Sequence, residues 1–174
     1  METKASEAGV DGFVRKPIFK STLEQIVRQY VLHTEAVRRP ECAETPILAG
    51  KRILLVEDNL INQEIVKELL EQTGAAVDAA YNGREGADRY VSMEDGYYDL
   101  ILMDIQMPVM NGYEATRLIR GMNRRDAGSI PIFAMTADAF AEDIAMARQA
   151  GMDRHLSKPI DAVSLMQEIT RVLI

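Results

Sequence analysis

The sequence has no second cysteine to partner Cys42, so no intrachain disulfide can form and nothing in it calls for an oxidising compartment. It has no apolar run near the ~20 residues that a membrane-spanning helix needs. Its opening METKASEAGVDG lacks the apolar centre of a signal peptide. These absences lead to the expectation of a cytoplasmic chain without direct membrane contact, whatever anchors a longer parent protein. A basic excess is missing too. Lys and Arg number 20 against 27 Asp and Glu, for a net charge of -7. Binding to nucleic acid or to anionic lipid needs clustered cations that displace counterions, so neither is expected. The short basic patch RRDAG at 124–128 reads as a solvated loop. What is present is 47% hydrophobic and 27% charged residues, the balance of a globular protein able to bury a core.

Residues 8–26, AGVDGFVRKPIFKSTLEQI, align without a gap on residues 150–168, AGMDRHLSKPIDAVSLMQE. Both copies read as a helix end closed by Ala-Gly, a short strand, Lys-Pro, and then an amphipathic helix. Between the two, residues 34–50 carry two prolines, mixed charge and no sustained periodicity, which reads as a linker.

From residue 51 the pattern turns regular. RILLV (52–56) predicts a strand, and Asn59 caps a helix in which Ile61, Ile65, Leu69 and Leu70 share a face. AAVDAA predicts a second strand, followed by a helix that Asn82 begins. DLILMD (99–104) predicts a strand covered on both faces, and a helix over 113–120 follows the MPVMNG turn. IPIFAMT (130–136) predicts a fourth strand before a helix over 141–150, and RHLS (154–157) a fifth before a helix from about 161. Strict alternation of this kind implies an α/β fold, a doubly wound parallel sheet with helices on both faces. Ligands of such sheets bind beyond the carboxyl ends of the strands, so the chemistry belongs immediately after each strand.

Glu57 and Asp58 follow the first strand, and Asp104 ends the third. Thr136 ends the fourth, and Lys158 follows the fifth. Two carboxylates ~5 Å apart at an effective dielectric near 20 repel by roughly 3 kcal/mol, so three together call for a cation. Oxygen ligands on an open site favour Mg2+. Beside such an ion Asp104 can act as a nucleophile toward phosphorus, with the Lys158 ammonium and Thr136 hydroxyl facing the phosphoryl oxygens. Lys158 can equally balance Asp104 before any phosphate arrives. A cis Lys158-Pro159 bond is expected to set its exit geometry.

VEDN (56–59), MDIQMPVMNG (103–112), MTA (135–137) and KP (158–159), in that order on five β-α units, resemble the receiver domain of two-component response regulators. The wording is most like receivers of hybrid sensor histidine kinases, and the resemblance covers residues 51–174. It implies a flavodoxin-like sheet of strand order 2-1-3-4-5. It also implies that Asp104 is the phosphoacceptor, that Glu57, Asp58, Asp104 and the Gln106 main-chain carbonyl hold Mg2+, and that Thr136 and Lys158 bind the phosphoryl group. In the family a switch couples that Thr to an aromatic residue three before the Lys, where this chain has His155. Gln106 and Asp138 occupy the positions that tune phosphoryl lifetime. The phosphate donor would be a histidine kinase or a histidine phosphotransfer domain.

By the same resemblance residues 1–33 look like the last strand and helix of another receiver, with Phe13 in its aromatic position and Lys16-Pro17 without a pocket. The chain is therefore expected to come from a hybrid histidine kinase with tandem receivers. The helix over 18–32 would pack on the intact receiver or on another copy, giving a homodimer through that helix or through the face of the fourth helix, fifth strand and fifth helix. Other readings are a stand-alone response regulator, a Mg2+-dependent phosphatase with an aspartyl nucleophile, a flavodoxin-like cofactor binder and a phosphorylation-free interaction module. The phosphatase would want a second Asp where Gln106 stands. A cofactor binder would want Gly, Ser and Thr in place of Glu57, Asp58 and Asn59.

Overall fold

Side chains alternate across a strand, and here that alternation sorts the core into two halves. The computed structural model describes residues 47–137 and 141–174. The expectations for residues 1–33, for most of the linker and for Asp138 lie outside the described residues. The elements are β1 (Arg52–Val56), α1 (Leu60–Glu71), β2 (Ala76–Ala80), α2 (Gly83–Ser92), β3 (Leu100–Asp104), α3 (Gly112–Arg120), β4 (Ile132–Thr136), α4 (Ala141–Ala150), β5 (Arg154–Ser157) and α5 (Ala162–Leu173). The strands form one parallel sheet in the order β2-β1-β3-β4-β5, the doubly wound, flavodoxin-like arrangement expected. Ile53, Leu55, Leu100, Leu102, Phe133, Met135 and Leu156 point to one face, where Val66 and Leu70 of α1 and Leu165 and Ile169 of α5 cover them. Leu54, Val56, Ile101, Met103, Ile132 and Ala134 point to the other, under α2, α3 and α4. β3 and β4 are buried along their whole length, which is why their sequences are nearly continuous apolar runs.

Each helix after a site-bearing strand begins on a side-chain cap where its start is described. Asn59 Oδ1 accepts from the amides of Ile61 and Asn62 at 3.0 and 3.2 Å. Asn111 and Glu114 form a capping box, and Asp161 Oδ1 accepts from Val163 and Ser164. These caps satisfy amides that a helix cannot satisfy internally, and they fix where each helix starts relative to the strand end before it.

Two expectations are corrected. The buried face of α1 is Gln63, Val66 and Leu70, whereas Ile61 is 68% exposed. The cap at Asn59 sets the helical phase, and that phase turns position 63 toward the sheet. There the Gln63 amide donates to the carbonyls of Glu57 (3.0 Å) and Ala80 (3.1 Å), stapling the carboxyl ends of β1 and β2. A buried glutamine at this place does what an aliphatic side chain could not, because it gives the Glu57 carbonyl a donor and adds a second one to the Ala80 carbonyl, which already accepts from the Glu57 amide. At the end of the segment read as a linker, residues 47–50 form a turn, Leu48 is wholly buried, and its amide bonds Thr73 O at 2.9 Å.

The RRDAG patch is not a solvated loop throughout. Arg124, its side chain 9% exposed, pairs with Asp126 at 3.0 Å and donates to the carbonyls of Tyr90, Met93 and Glu94. Its guanidinium also lies 4.4 Å from the centre of the Tyr90 ring. One planar fork thus closes the C-terminal end of α2 from the loop before β4. Burial pushes the Tyr90 hydroxyl up to about 12, with Asp126 adding to the shift. Burial would raise the Asp126 carboxyl as well, but the bonds from Arg124 and the Gly96 amide outweigh it and hold that group well below the usual carboxylate range.

Replacing Arg124 by Ala strands several carbonyls and the Asp126 charge, and is expected to cost about 3 kcal/mol in urea unfolding. A depressed carboxyl contributes stability that is present above its unfolded value near ~3.9 and is lost as pH falls through the folded one. The wild-type melting temperature should therefore drop more steeply below about pH 4 than that of Asp126→Asn. Parallel melting curves for the two proteins down to acid pH would refute the pairing.

Candidate functional site

The pleat that divides the core also aims the site. Glu57 continues the parity of Ile53 and Leu55, and its amide is still held by Ala80 O at 3.0 Å. Asp104 continues the parity of Leu100 and Leu102, and Lys158 that of Leu156. All three emerge on the α1 and α5 side of the sheet. Thr136 has the opposite parity, ends β4 on the α4 side, and is nearly buried. Its carbonyl accepts from the Lys158 amide at 2.7 Å, which fixes the lysine's backbone beside it. The Lys158-Pro159 bond is cis, as the sequence led us to expect.

The Lys158 ammonium bridges Asp104 Oδ2 at 2.7 Å and Glu57 Oε2 at 2.6 Å. Asp104 Oδ1 accepts from the Gln106 amide at 3.3 Å, and Glu57 Oε1 from Asn62 Nδ2 at 3.0 Å. Burial pushes the Asp104 carboxyl above its ordinary range; the Lys158 hydrogen bond opposes this and the Glu57 charge reinforces it. Burial alone would lower the Lys158 ammonium, but its bonds to Asp104 and Glu57 prevail and raise it. One ammonium pairs with two of three clustered carboxylates, which leaves a negative excess at the strand ends.

That excess fits a hard divalent cation. Glu57, Asp58 and Asp104 can each offer one oxygen, and the three atoms lie within 4.8 Å of one another. Glu57 is buried and Asp58 exposed, so the cluster opens to solvent on one side. Glu57 Oε2 receives no well-directed hydrogen bond despite the nearby ammonium, leaving acceptor capacity in the buried wall of the site.

Of the other residues singled out in the sequence, Gln106 is exposed at the rim, in a hollow shared with Asp58, Met107 and Tyr113. His155 is exposed on β5, opposite Ala134 in register, and lines a separate hollow with Arg148, Met152 and Glu168. Three contributors went unnoticed in the sequence. Asn62 and Gln63 hold the side chain and carbonyl of Glu57, and their signal was their place in the first turn after the acidic pair. Gly112 opens α3 so close to β3 that a Cβ there would sit 2.2 Å from the Asp104 carbonyl oxygen.

Residues 53–170 match the family model described as the response regulator receiver domain. A probable histidine kinase of Oryza sativa subsp. indica is 40% identical over 133 residues, covering 70% of this chain and 13% of its own length. The chain thus spans about an eighth of that curated relative. Among solved structures, the receiver domain of a sensor histidine kinase of Pseudomonas aeruginosa, with a magnesium ion coordinated in its active-site cleft, is 38% identical with a TM-score of 0.64, over 72% of this chain and 98% of that one. A chain from the co-crystal of the Saccharomyces cerevisiae histidine phosphotransfer protein Ypd1 and the receiver domain of Ssk1 is 31% identical with a TM-score of 0.66, over 72% and 90%.

Proposed function

Because the chain belongs to the response regulator receiver family and holds a phosphoacceptor domain with the acidic cluster of two-component signalling, we propose that it takes a phosphoryl group from a phosphohistidine onto Asp104. The observation that carries this reading is the bracketing of one buried carboxylate by the Lys158 ammonium, the Gln106 amide and two further carboxylates at the open end of the sheet.

In the reaction an Asp104 carboxylate oxygen bonds to phosphorus as the phosphorus-nitrogen bond of the donor breaks and the imidazole leaves. Lys158 is tethered by its ion pairs and its strand-end amide, and moves from balancing the carboxylate to meeting a phosphoryl oxygen. The Thr136 hydroxyl, at the neighbouring strand end, faces another. Glu57, Asp58, Asp104 and the Gln106 carbonyl would hold Mg2+, which would supply neutralisation of the charge on the transferring group. Since all these groups stand on strand ends, little reorganisation is needed as charge moves. His155, exposed beside α4, would couple the Thr136 side to the partner surface of α4, β5 and α5, and Gln106 with Asp138 would set the lifetime of the acyl phosphate. The phosphatase reading loses its general acid, because the Gln106 side-chain amide is far too weak an acid to protonate a leaving group.

The donor partner is a histidine kinase or a histidine phosphotransfer domain, and the parent a hybrid histidine kinase in which residues 1–33 close an upstream receiver and a linker follows. This rests on the kinship with histidine kinases and with the receiver in the phosphotransfer complex. Among the described residues no helix is long and apolar enough to cross a membrane. A homodimer through residues 18–32 or the α4, β5 and α5 face belongs to the same reading, and a single monomeric species in sedimentation velocity at high concentration would count against it.

Incubation with phosphorylated phosphotransfer domain, or with acetyl phosphate and Mg2+, is expected to add one phosphoryl group by intact mass, and EDTA to prevent it. No added mass under either donor would refute the proposal.

A further inference from the structure

The segment from Glu57 to Gln63 carries more of the site than its acidic pair. Glu57 is a long side chain whose carboxylate is free to rotate about one more bond than an aspartate would allow, yet it is 1% exposed, with one oxygen hydrogen-bonded and the other facing a charge. Oε2 faces Lys158 at 2.6 Å. Oε1 accepts from Asn62 Nδ2 at 3.0 Å. Asn62 can reach it because Asn59 caps α1 through the Ile61 and Asn62 amides, which places the first turn of the helix directly over the Glu57 carboxylate. Gln63, one residue on, fixes the Glu57 carbonyl from the same turn.

From this geometry we infer that Asn62 is a positioning residue for the metal site. By holding Oε1 it fixes the orientation of the Glu57 carboxylate within the acidic cluster, and so sets how tightly the cluster binds a divalent cation. Asn62 touches neither phosphorus nor metal, and it acts through Glu57 alone. The Asn62 bond to Oε1 would be kept whether the Glu57 carboxylate is paired with Lys158 or with a cation. The bond therefore lowers the cost of ordering Glu57 for the metal without competing for it. Partners that orient a metal ligand in this way typically contribute 10–100-fold in affinity.

The inference rests on the acidic cluster being the Mg2+ site, and titration calorimetry with MgCl2 separates the two. Asn62→Ala is expected to raise the Mg2+ dissociation constant about tenfold. Because Asn62 is exposed, the same change should leave the melting temperature in EDTA within about 3 °C of wild type. In a Glu57→Asp background the shorter carboxylate no longer reaches Nδ2, so Asn62→Ala should alter the constant by less than about twofold. Wild-type Mg2+ binding with an unchanged constant in Asn62→Ala overturns the inference alone. So does a loss equally large in the Glu57→Asp background, or a large fall in the EDTA melting temperature with affinity retained, since that assigns Asn62 to stability. A wild-type protein that binds no Mg2+ overturns the inference and the metal site together.

Discussion

Asp104→Asn is expected to take up no phosphoryl group from any donor, and in EDTA at neutral pH to melt at a higher temperature than wild type. The first half follows from chemistry, because an amide cannot form the acyl phosphate. The second follows from the surroundings of the carboxylate. Burial raises its pKa, and the Glu57 charge adds to this against the opposing Lys158 bond. A raised carboxyl contributes stability below its unfolded value of ~3.9, and that contribution is lost as pH rises through the folded value. At neutral pH the ionised group thus opposes folding, and an uncharged isostere relieves it, while Lys158 keeps Glu57 as a partner.

Metal shifts the comparison toward wild type. At free Mg2+ tenfold above its dissociation constant, wild type gains about 1.4 kcal/mol by mass action. The variant, with one ligand charge removed, gains less. Differential scanning with and without Mg2+ beside intact-mass phosphorylation checks both halves. Phosphoryl uptake by the variant would move the acceptor elsewhere, and lower metal-free stability would contradict the electrostatic account.

Gly112→Ala is expected to cost about 3 kcal/mol and to slow phosphorylation about 100-fold even where the protein is folded. The added Cβ would meet Asp104 O at 2.2 Å and Ile105 Cα at 3.1 Å, and these are backbone atoms that cannot swing aside as a flexible side chain would. The Gly112 amide also donates to Ile105 O at 3.0 Å, tying the start of α3 to the end of β3. To admit a methyl group, either the helix start retreats or the strand end moves, and the strand end carries the phosphoacceptor. Urea unfolding gives the stability cost from a shifted midpoint at unchanged slope, and phosphorylation is then timed at a temperature where both proteins are native. Wild-type stability in this variant would show that α3 does not bear on β3 as described.

The architecture was legible because β1, β3 and β4 are apolar runs between helices of clear period, so strand count, alternation and the place of the site followed together. Glu57, Asp58, Asp104, Thr136 and Lys158 could be found from the rule that chemistry follows strand ends. The face of α1 was misjudged because periodicity counted Ile61 as core, whereas the Asn59 cap sets the phase and leaves it exposed. Gln63 and Arg124 were invisible for a related reason. A polar side chain that satisfies buried carbonyls looks, in sequence, like one facing water. Arg124 in particular acts across about thirty residues of chain, on the end of α2, where no local pattern reaches.

The parity of the strands also bears on how such a chain can change its length over generations. Losing one residue within β1 or β3 would carry Glu57 or Asp104 to the opposite side of the sheet and exchange the two apolar faces, while scarcely altering composition. A codon lost at the far end, in the loops that enter the strands, would leave both carboxylates aimed as they are. Insertions and deletions in related genes should therefore collect in the loops that enter the strands, away from the Arg124 and Asp126 pairing, and a deletion scan of this gene should lose phosphoryl uptake at every position of β1 and β3 before it does so in those loops.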